Sequence, residues 1–340
     1  MTRKFNIALL GATGAVGQTV LEILAEREFP VDKLIPLASK RSAGNTVEFK
    51  NKSLRIEDAE TFDFSTVQIC FCAVDADLAK IYAPKAAEAG CIVIDKSSHF
   101  RYEEDVPLVI PEVNPEAIEN YRERNIIATP NCSTIPLLVA LKPIYDAVGI
   151  ERINVATYQS VSGTGKPGIE ELSQQVTDLL NNKDFTPKVY PVQIAFNLIP
   201  HIDGFLDNGY TKEEMKIVWE SKKILNDPNI LINPTAVRVP VFYGHSEAVH
   251  IETREKITAE AARHLLQESP GIIVIDEQTA GGYPTPVDIC RREDAVYVGR
   301  IRDDISHHLG LNLWIVADNI RKGAALNAIQ IAEILVRDYL

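Results

Sequence analysis

The stretch FNIALLGATGAVGQTVLEILAERE, residues 5–28, decides the fold. Its opening, FNIALLG, is a compact apolar run that ends in glycine, as a buried strand does. From Ala15 the pattern changes, and Val16, Val20, Ile23 and Leu24 recur at helical spacing. A strand, a glycine turn and a helix follow one another. Gly11, Gly14 and Gly17 lie in that turn, where small residues let backbone N–H groups approach a pyrophosphate at the helix N-terminus. The spacing is GxxGxxG and not GxGxxG, so a tight structural turn is the alternative to dinucleotide binding.

Working outward, apolar runs suited to buried strands recur at LIPLAS, VQICFCAV, CIVIDKSS and NIIATPN, with the helix-like LAKIYAPKAAEAG between two of them. Residues 1–131 therefore read as a mostly parallel, doubly wound α/β domain. After Cys132 the texture shifts to longer alternating runs, RINVATYQSVSG, TAVRVPVFYGHSEAVHIET, AVYVGRIRDD and LNLWIVADN. These suit a mixed sheet with helices on one side, a second domain of α+β type over 132–321. The final AALNAIQIAEILVRDYL has helical spacing, and the segment from about 322 to 340 is expected to pack back on the first domain.

A chain of 340 residues suits about two domains, and 46% hydrophobic residues supply their cores. The apolar run near the start is short and breaks at Gly11, which supports neither a signal peptide nor a membrane span, and a cytoplasmic protein is expected. The five cysteines are odd in number, and Cys70 and Cys72 lack metal-ligand spacing, so reduced thiols are expected, with no disulfide framework and no metal site. A net charge of −12 argues against nucleic acid and anionic membranes as partners. An anionic ligand must then find its positive charge locally.

One such place is ASKRSAG, after the second strand. A carboxylate there commonly binds the ribose hydroxyls of NAD, whereas Ser39, Lys40, Arg41 and Ser42 include no acid and suit a 2′-phosphate. NADP(H) is thus favoured over NAD, and a solvated basic turn is the alternative.

Cys132 lies between the run NIIATPN and the helix-like STIPLLVALKPIYDAVG, so its sulfur sits near a helix N-terminus, where the dipole favours thiolate. Cys70, Cys72 and Cys91 lie inside apolar strands and read as inert, and Cys290 has no evident partner. A thiolate nucleophile needs a proton-handling partner, and His245, beside a glycine after a strand-like run, is the best of seven histidines. Arg238 lies seven residues earlier. Strand alternation by itself would set the two on opposite faces unless the intervening residues bend the chain. Glu213 and Lys216, three apart in KEEMK, share one helical face and are also explained by a plain surface ion pair.

Taken together and in order, GATGAVG, ASKRSAG, PNCST, TYQSVSGTG, EEMK, VRVPVFYGHSE and VADNIRKGAALN resemble the aspartate-semialdehyde dehydrogenase family over nearly the whole chain. The resemblance implies a Rossmann-like domain that binds NADP(H) and a catalytic and dimerisation domain. It also implies interconversion of L-4-aspartyl phosphate with L-aspartate 4-semialdehyde and inorganic phosphate, through an acyl-thioester. Carried over position by position, Cys132 is the nucleophile, His245 the acid/base and Gln159 an orienting residue. Arg238 would bind the substrate carboxylate and Glu213 its ammonium, while Arg101, Asn131 and Lys216 would meet the phosphate. For the cofactor, Gly11 and Thr13, Gly14, Ala15 and Val16 would cradle the pyrophosphate. Ser39, Arg41 and Ser42 would take the 2′-phosphate, Ser162 and Gly163 the nicotinamide side, and Asn319 its carboxamide. Family members form homodimers, with a homotetramer as the alternative here. The pattern departs from the family at Lys96 and His99. An N-acetylglutamyl-phosphate type of reductase and a noncatalytic NADP(H)-binding protein are the rival readings; Glu213 paired with Arg238 favours a free amino acid as substrate.

Overall fold

The computed structural model describes residues 3–289 and 293–340, so Cys290 lies outside the described residues. The chain divides into two compact units, Met1–Asn131 with Ala324–Leu340, and Cys132–Gly323.

In the first unit, strands β1 (Phe5–Leu10), β2 (Val31–Ala38), β5 (Glu57–Asp58), β6 (Ile69–Cys72), β7 (Ile92–Asp95) and β8 (Ile126–Ala128) form one sheet. Its order is β5-β2-β1-β6-β7-β8 and every pairing is parallel. The order runs outward from β1 in both directions, as in a doubly wound Rossmann sheet. The runs ICFC and IVID are buried at every residue, which explains why these strands read as apolar segments, with Asp95 the one charged residue among them. A hairpin of β3 (Thr46–Phe49) and β4 (Lys52–Arg55) stands apart. The helices are α1 (Ala15–Glu26), α2 (Ala76–Glu88) and α8 (Leu326–Asp338). α8 brings Leu326, Ile329, Ile331 and Leu335 into the same core as Ile7, Leu9 and Ile23. The Asn327 side chain also donates to the Val109 carbonyl at 2.9 Å.

The turn between β1 and α1 needs two of its glycines for different reasons. Gly11 has φ +86°, and a Cβ there would lie 2.6 Å from the Ala73 carbonyl oxygen. At Gly17 a Cβ would lie 2.2 Å from the Gly11 carbonyl oxygen, a backbone atom that cannot swing away. Gly17→Ala is therefore expected to lower stability by about 1–3 kcal/mol. A urea midpoint equal to that of the parent chain would show that the turn yields instead.

The second unit holds β9 (Ile150–Gln159), β10 (Leu231–Arg238), β11 (His245–Thr253), β12 (Ile272–Val274), β13 (Val296–Asp303) and β14 (Gly310–Ala317). Their order is β10-β9-β11-β14-β13-β12. The sheet is mixed: β10 runs parallel to β9 and β12 to β13, and the other pairings are antiparallel. Helices α3 (Thr134–Val148), α5 (Lys212–Ile224) and α6 (Ala259–Gln267) pack on one face, while α4 (Lys166–Leu180) and the single turn α7 (Pro286–Ile289) lie elsewhere. On the opposite face, Asn233, Asn154, His250, Asn312 and Arg302 occupy one rung across five strands. Among the described residues no helix is long and apolar enough to cross a membrane.

Candidate active site

The alternating run TAVRVPVFYGHSEAVHIET is two strands and not one. β10 ends at Arg238 and β11 starts at His245, and they flank β9 on its two sides. Gln159, the last residue of β9, pairs in register with Arg238 on one side and with His245 on the other. Residues opposite one another in register point to the same face of a sheet. The chain takes the alternative left open by the alternation, a break between Arg238 and His245, so the two never share a strand. Three polar side chains thus end three adjacent strands on one rung, 6%, 1% and 1% exposed for Arg238, Gln159 and His245.

Cys132 meets this rung at its sulfur. It precedes Ser133, the N-cap of α3, and its Sγ lies 3.4 Å from His245 Nε2. The other ring nitrogen, Nδ1, accepts from the Ser160 backbone N–H at 3.2 Å, with the Ser160 hydroxyl 3.3 Å away. Burial pulls the His245 pKa down to about 3, and Arg238 adds to the effect; Glu213 and the Gly244 carbonyl oppose it.

The unfolded chain therefore takes up a proton below its His value of 6.5 that the folded site refuses until about 3. Stability should fall as pH drops through that window, at a slope approaching ~1.4 kcal/mol per pH unit from this residue, and level off below it. Denaturation of His245→Gln beside the parent chain checks this. The variant cannot titrate there and should show a shallower acid slope, whereas equal slopes would contradict the depressed value.

Gln159 is held at both ends of its amide. Oε1 accepts from the Thr157 hydroxyl at 3.0 Å and Nε2 donates to Glu213 Oε1 at 3.1 Å. Glu213 Oε2 receives Lys216 Nζ at 2.8 Å, and Lys216 also reaches Asp203 Oδ2 at 2.9 Å. Burial works against the Lys216 ammonium, but Glu213 and Asp203 outweigh it and hold its pKa above the ordinary lysine value. Both α5 residues are presented by a capping box at Thr211 and Glu214, whose carboxylate also accepts from the Ala236 N–H.

Arg238 Nη1 donates to the Ser160 carbonyl at 2.6 Å. Gly163 presses on both neighbours, since a Cβ there would come within 2.9 Å of Arg238 Nη1 and 3.4 Å of the His245 ring. Asn319 Oδ1 accepts from Gly244 N–H at 2.9 Å, Ser162 Oγ at 3.1 Å and Ser160 Oγ at 3.3 Å. Glu247, two residues beyond His245 on the same face, is fully buried, and neither carboxyl oxygen has a partner among the described residues. Burial pushes its pKa well up, which favours the protonated form.

The first unit carries the remaining residues. Arg101, 6% exposed, donates through Nη2 to the Lys96 carbonyl at 2.8 Å. The departure at Lys96 therefore involves a position whose backbone does the holding. Asp95 shapes the same loop by accepting from Ser97 N–H at 3.0 Å and Ser97 Oγ at 2.6 Å. Asn131, also buried, closes the unit.

At the start of α1, Thr13, Gly14 and Ala15 are exposed, and the N-cap Gly14 supplies no side-chain acceptor to the first-turn N–H groups. Helix geometry leaves those donors without intrahelical partners, open to a pyrophosphate beside Val16. After β2, Ser39 O accepts from Ser42 N–H at 2.8 Å, which folds Ser39, Lys40, Arg41 and Ser42 into an exposed turn. The cradle and the turn fit an NADP-type dinucleotide.

Ser160, Thr157 and Asp203 were not among the candidates read from the sequence. Thr157 and Ser160 lie inside the quoted TYQSVSGTG, but Ser160 contacts His245 through its backbone, which no side-chain pattern reveals.

A cysteine beside a histidine, with a buried arginine, glutamine and glutamate in one unit and a glycine turn fit for a dinucleotide in the other, is the residue set of a nicotinamide-linked dehydrogenase. Family models described as "Semialdehyde dehydrogenase, NAD binding domain" and "Semialdehyde dehydrogenase, dimerisation domain" match residues 6–121 and 141–322. The aspartate-semialdehyde dehydrogenase of Shewanella sp. (strain DB6705) is 61% identical over 339 residues, covering 100% of each chain. The crystal structure of aspartate semialdehyde dehydrogenase II from Vibrio cholerae, complexed with ASA, superposes with a TM-score of 0.98 at 60% identity, covering 100% of both chains. A more distant structure, the enzyme of Candida albicans with NADP, has a TM-score of 0.77 at 27% identity and 98% coverage of each. The chain belongs to the aspartate-semialdehyde dehydrogenase family.

Proposed function

We propose that Cys132 is the nucleophile of this enzyme, that His245 is its general acid/base, and that the residues around them hold the substrate. The reaction is the NADPH-dependent reductive dephosphorylation of L-4-aspartyl phosphate to L-aspartate 4-semialdehyde. It lies on the route to diaminopimelate, lysine, methionine, threonine and isoleucine. The observation that carries the reading is the 3.4 Å approach of Cys132 Sγ to His245 Nε2.

The thiolate of Cys132 attacks the acyl carbon, and phosphate leaves with the C–O bonding pair to give an acyl-thioester. When bound, NADPH supplies a hydride to the thioester carbonyl. The resulting alkoxide re-forms its C=O bond as the C–S bond breaks, returning the electron pair to sulfur. Gln159, its amide fixed by Thr157 and Glu213, orients the acyl group. The Arg238 guanidinium binds the substrate α-carboxylate in a two-point fork, and Glu213 binds the ammonium. Arg101, Asn131 and Lys216 receive the phosphate. Thr13 to Val16 would hold the cofactor pyrophosphate, Ser39, Arg41 and Ser42 the 2′-phosphate, Ser162 and Gly163 the nicotinamide side and Asn319 its carboxamide.

Nicotinamide absorbance tests this with L-aspartate 4-semialdehyde and NADP, with and without phosphate. Sustained NADPH formation only with phosphate is expected, and the N-acetylated glutamate semialdehyde should be a poor substrate. Preference for that acetylated compound would favour the rival reductase.

We also infer a homodimer through the open face of the second sheet, supported by the dimerisation-domain match and the polar rung on that face. Light scattering should give twice the chain mass, with four times as the second arrangement; a fully active monomer would refute it. The free thiols at Cys70, Cys72, Cys91 and Cys132 suit a reducing compartment, the cytoplasm.

A further inference from the structure

We propose that Asp203 is a specificity-determining residue, whose carboxylate gives the pocket around Glu213 the net negative charge that a substrate ammonium requires. The inference rests on the reading of Glu213 as the partner of that ammonium.

Glu213 with Lys216 alone does not make a cation site. Lys216 Nζ lies 2.8 Å from Glu213 Oε2, and an ammonium already seated on a carboxylate leaves a neutral pair. A second cation arriving beside that pair meets repulsion as well as attraction. Asp203 changes the balance, because its Oδ2 accepts from the same Nζ at 2.9 Å. Two carboxylates then share one lysine, and the cluster carries one negative charge, which matches one ammonium. Arg238 is matched by the substrate α-carboxylate and does not enter this balance. Burial opposes the charge on both Lys216 and Asp203. Glu213 and Asp203 nevertheless hold the Lys216 pKa up, and hydrogen bonds from Lys216 and the Gly204 N–H hold the Asp203 pKa down.

The construction around Asp203 is more than an exposed ion pair needs. The Lys216 side chain is 12% exposed, and Asp203 reaches it from 13 residues away, not from the next helical turn. Asp203 sits at φ +67°, a left-handed backbone that aspartate and asparagine tolerate better than most residues. Its Oδ1 accepts from the Gly204 N–H at 2.8 Å, and the Gly204 carbonyl accepts from the Lys212 N–H at 2.8 Å. Lys212 opens α5, so the residue that shares Lys216 is tied to the helical turn that presents Glu213. The loop between them is closed by the pairing of Phe205 with Thr211 and by the Leu206 N–H on the Tyr210 carbonyl at 2.8 Å.

The test compares L-aspartate 4-semialdehyde with 4-oxobutanoate, the same aldehyde acid without its amino group, in steady-state kinetics with NADP and phosphate. Asp203→Asn keeps the size of the side chain and suits the left-handed backbone, so it removes only the charge. KM for L-aspartate 4-semialdehyde should rise about tenfold, the worth of one charge-assisted contact, with kcat within about twofold of the parent. For 4-oxobutanoate kcat/KM should hold or rise, so the preference between the two aldehydes falls about tenfold. Equal losses on both aldehydes would make Asp203 a structural support of Lys216 and overturn the inference. A lower KM for phosphate with an unchanged KM for the semialdehyde would make Asp203 a competitor for Lys216, and overturn it as well. Glu213→Gln, measured alongside, separates this inference from the reading beneath it. Loss of the preference in Glu213→Gln but not in Asp203→Asn would show that Glu213 holds the ammonium unaided, and the inference would fail alone. A preference that survives Glu213→Gln would remove Glu213 from the ammonium and take the inference with it.

Discussion

Cys132→Ala is expected to lower phosphate-dependent NADPH formation by about 10⁴-fold or more, while NADP(H) still binds. The size follows from what the sulfur does in both halves of the reaction. In the proposed mechanism it attacks the acyl phosphate as a thiolate and leaves again when the alkoxide collapses, from a position 3.4 Å from His245 Nε2. A water attacking the acyl phosphate would hydrolyse it without making aldehyde, so the loss of reduction cannot be rescued by solvent. Cys132→Ser should be nearly as inactive, because a serine hydroxyl ionises far less readily than a thiol and its alkoxide is a poorer leaving group than a thiolate. None of the residues assigned to the cofactor is altered, so cofactor fluorescence titration should give a Kd close to the parent's. Activity within a factor of ten of the parent would exclude the acyl-thioester route.

The second large effect is expected at Arg238. Arg238→Lys should reduce kcat/KM for L-aspartate 4-semialdehyde by about 10²-fold, mostly through KM. The guanidinium spends Nη1 on the Ser160 carbonyl and keeps further donors for a carboxylate. A lysine ammonium is a compact point charge that cannot span both partners from the end of β10. Removing the charge altogether, as in Arg238→Leu, should cost more, since no cation would remain at that position to meet a carboxylate. Steady-state kinetics that show an unchanged KM with a depressed kcat would move Arg238 out of substrate binding and leave it as a support for Ser160.

The first unit was legible because its signals are local. A parallel strand buried on both faces is apolar along nearly its whole length, and FNIALL, ICFC and IVID are so except at Asn6 and Asp95. The glycine turn is likewise written in consecutive residues. The second unit's strands could be read as alternating runs, but not their neighbours, because β9 pairs with strands that begin some 80 and 95 residues later in the chain. Nothing local tells Arg238 that it will face Gln159. For the same reason the relation of Arg238 to His245 could be drawn only from family resemblance. Asp203 escaped notice because it acts on Lys216 across 13 residues of sequence, and Ser160 because its working atom is one that every residue but proline possesses.

The rung of Arg238, Gln159 and His245 also bears on how the enzyme acquires activity during folding. None of the three is brought to its neighbours by the local chain, and β9 must be joined on both edges before they align. A β10 strand that docked one residue out of step would turn Arg238 to the opposite face, so partly ordered chains carry no weakened version of the site. Recovery of turnover after dilution from denaturant would then report completion of the second sheet, lagging any signal from the first unit.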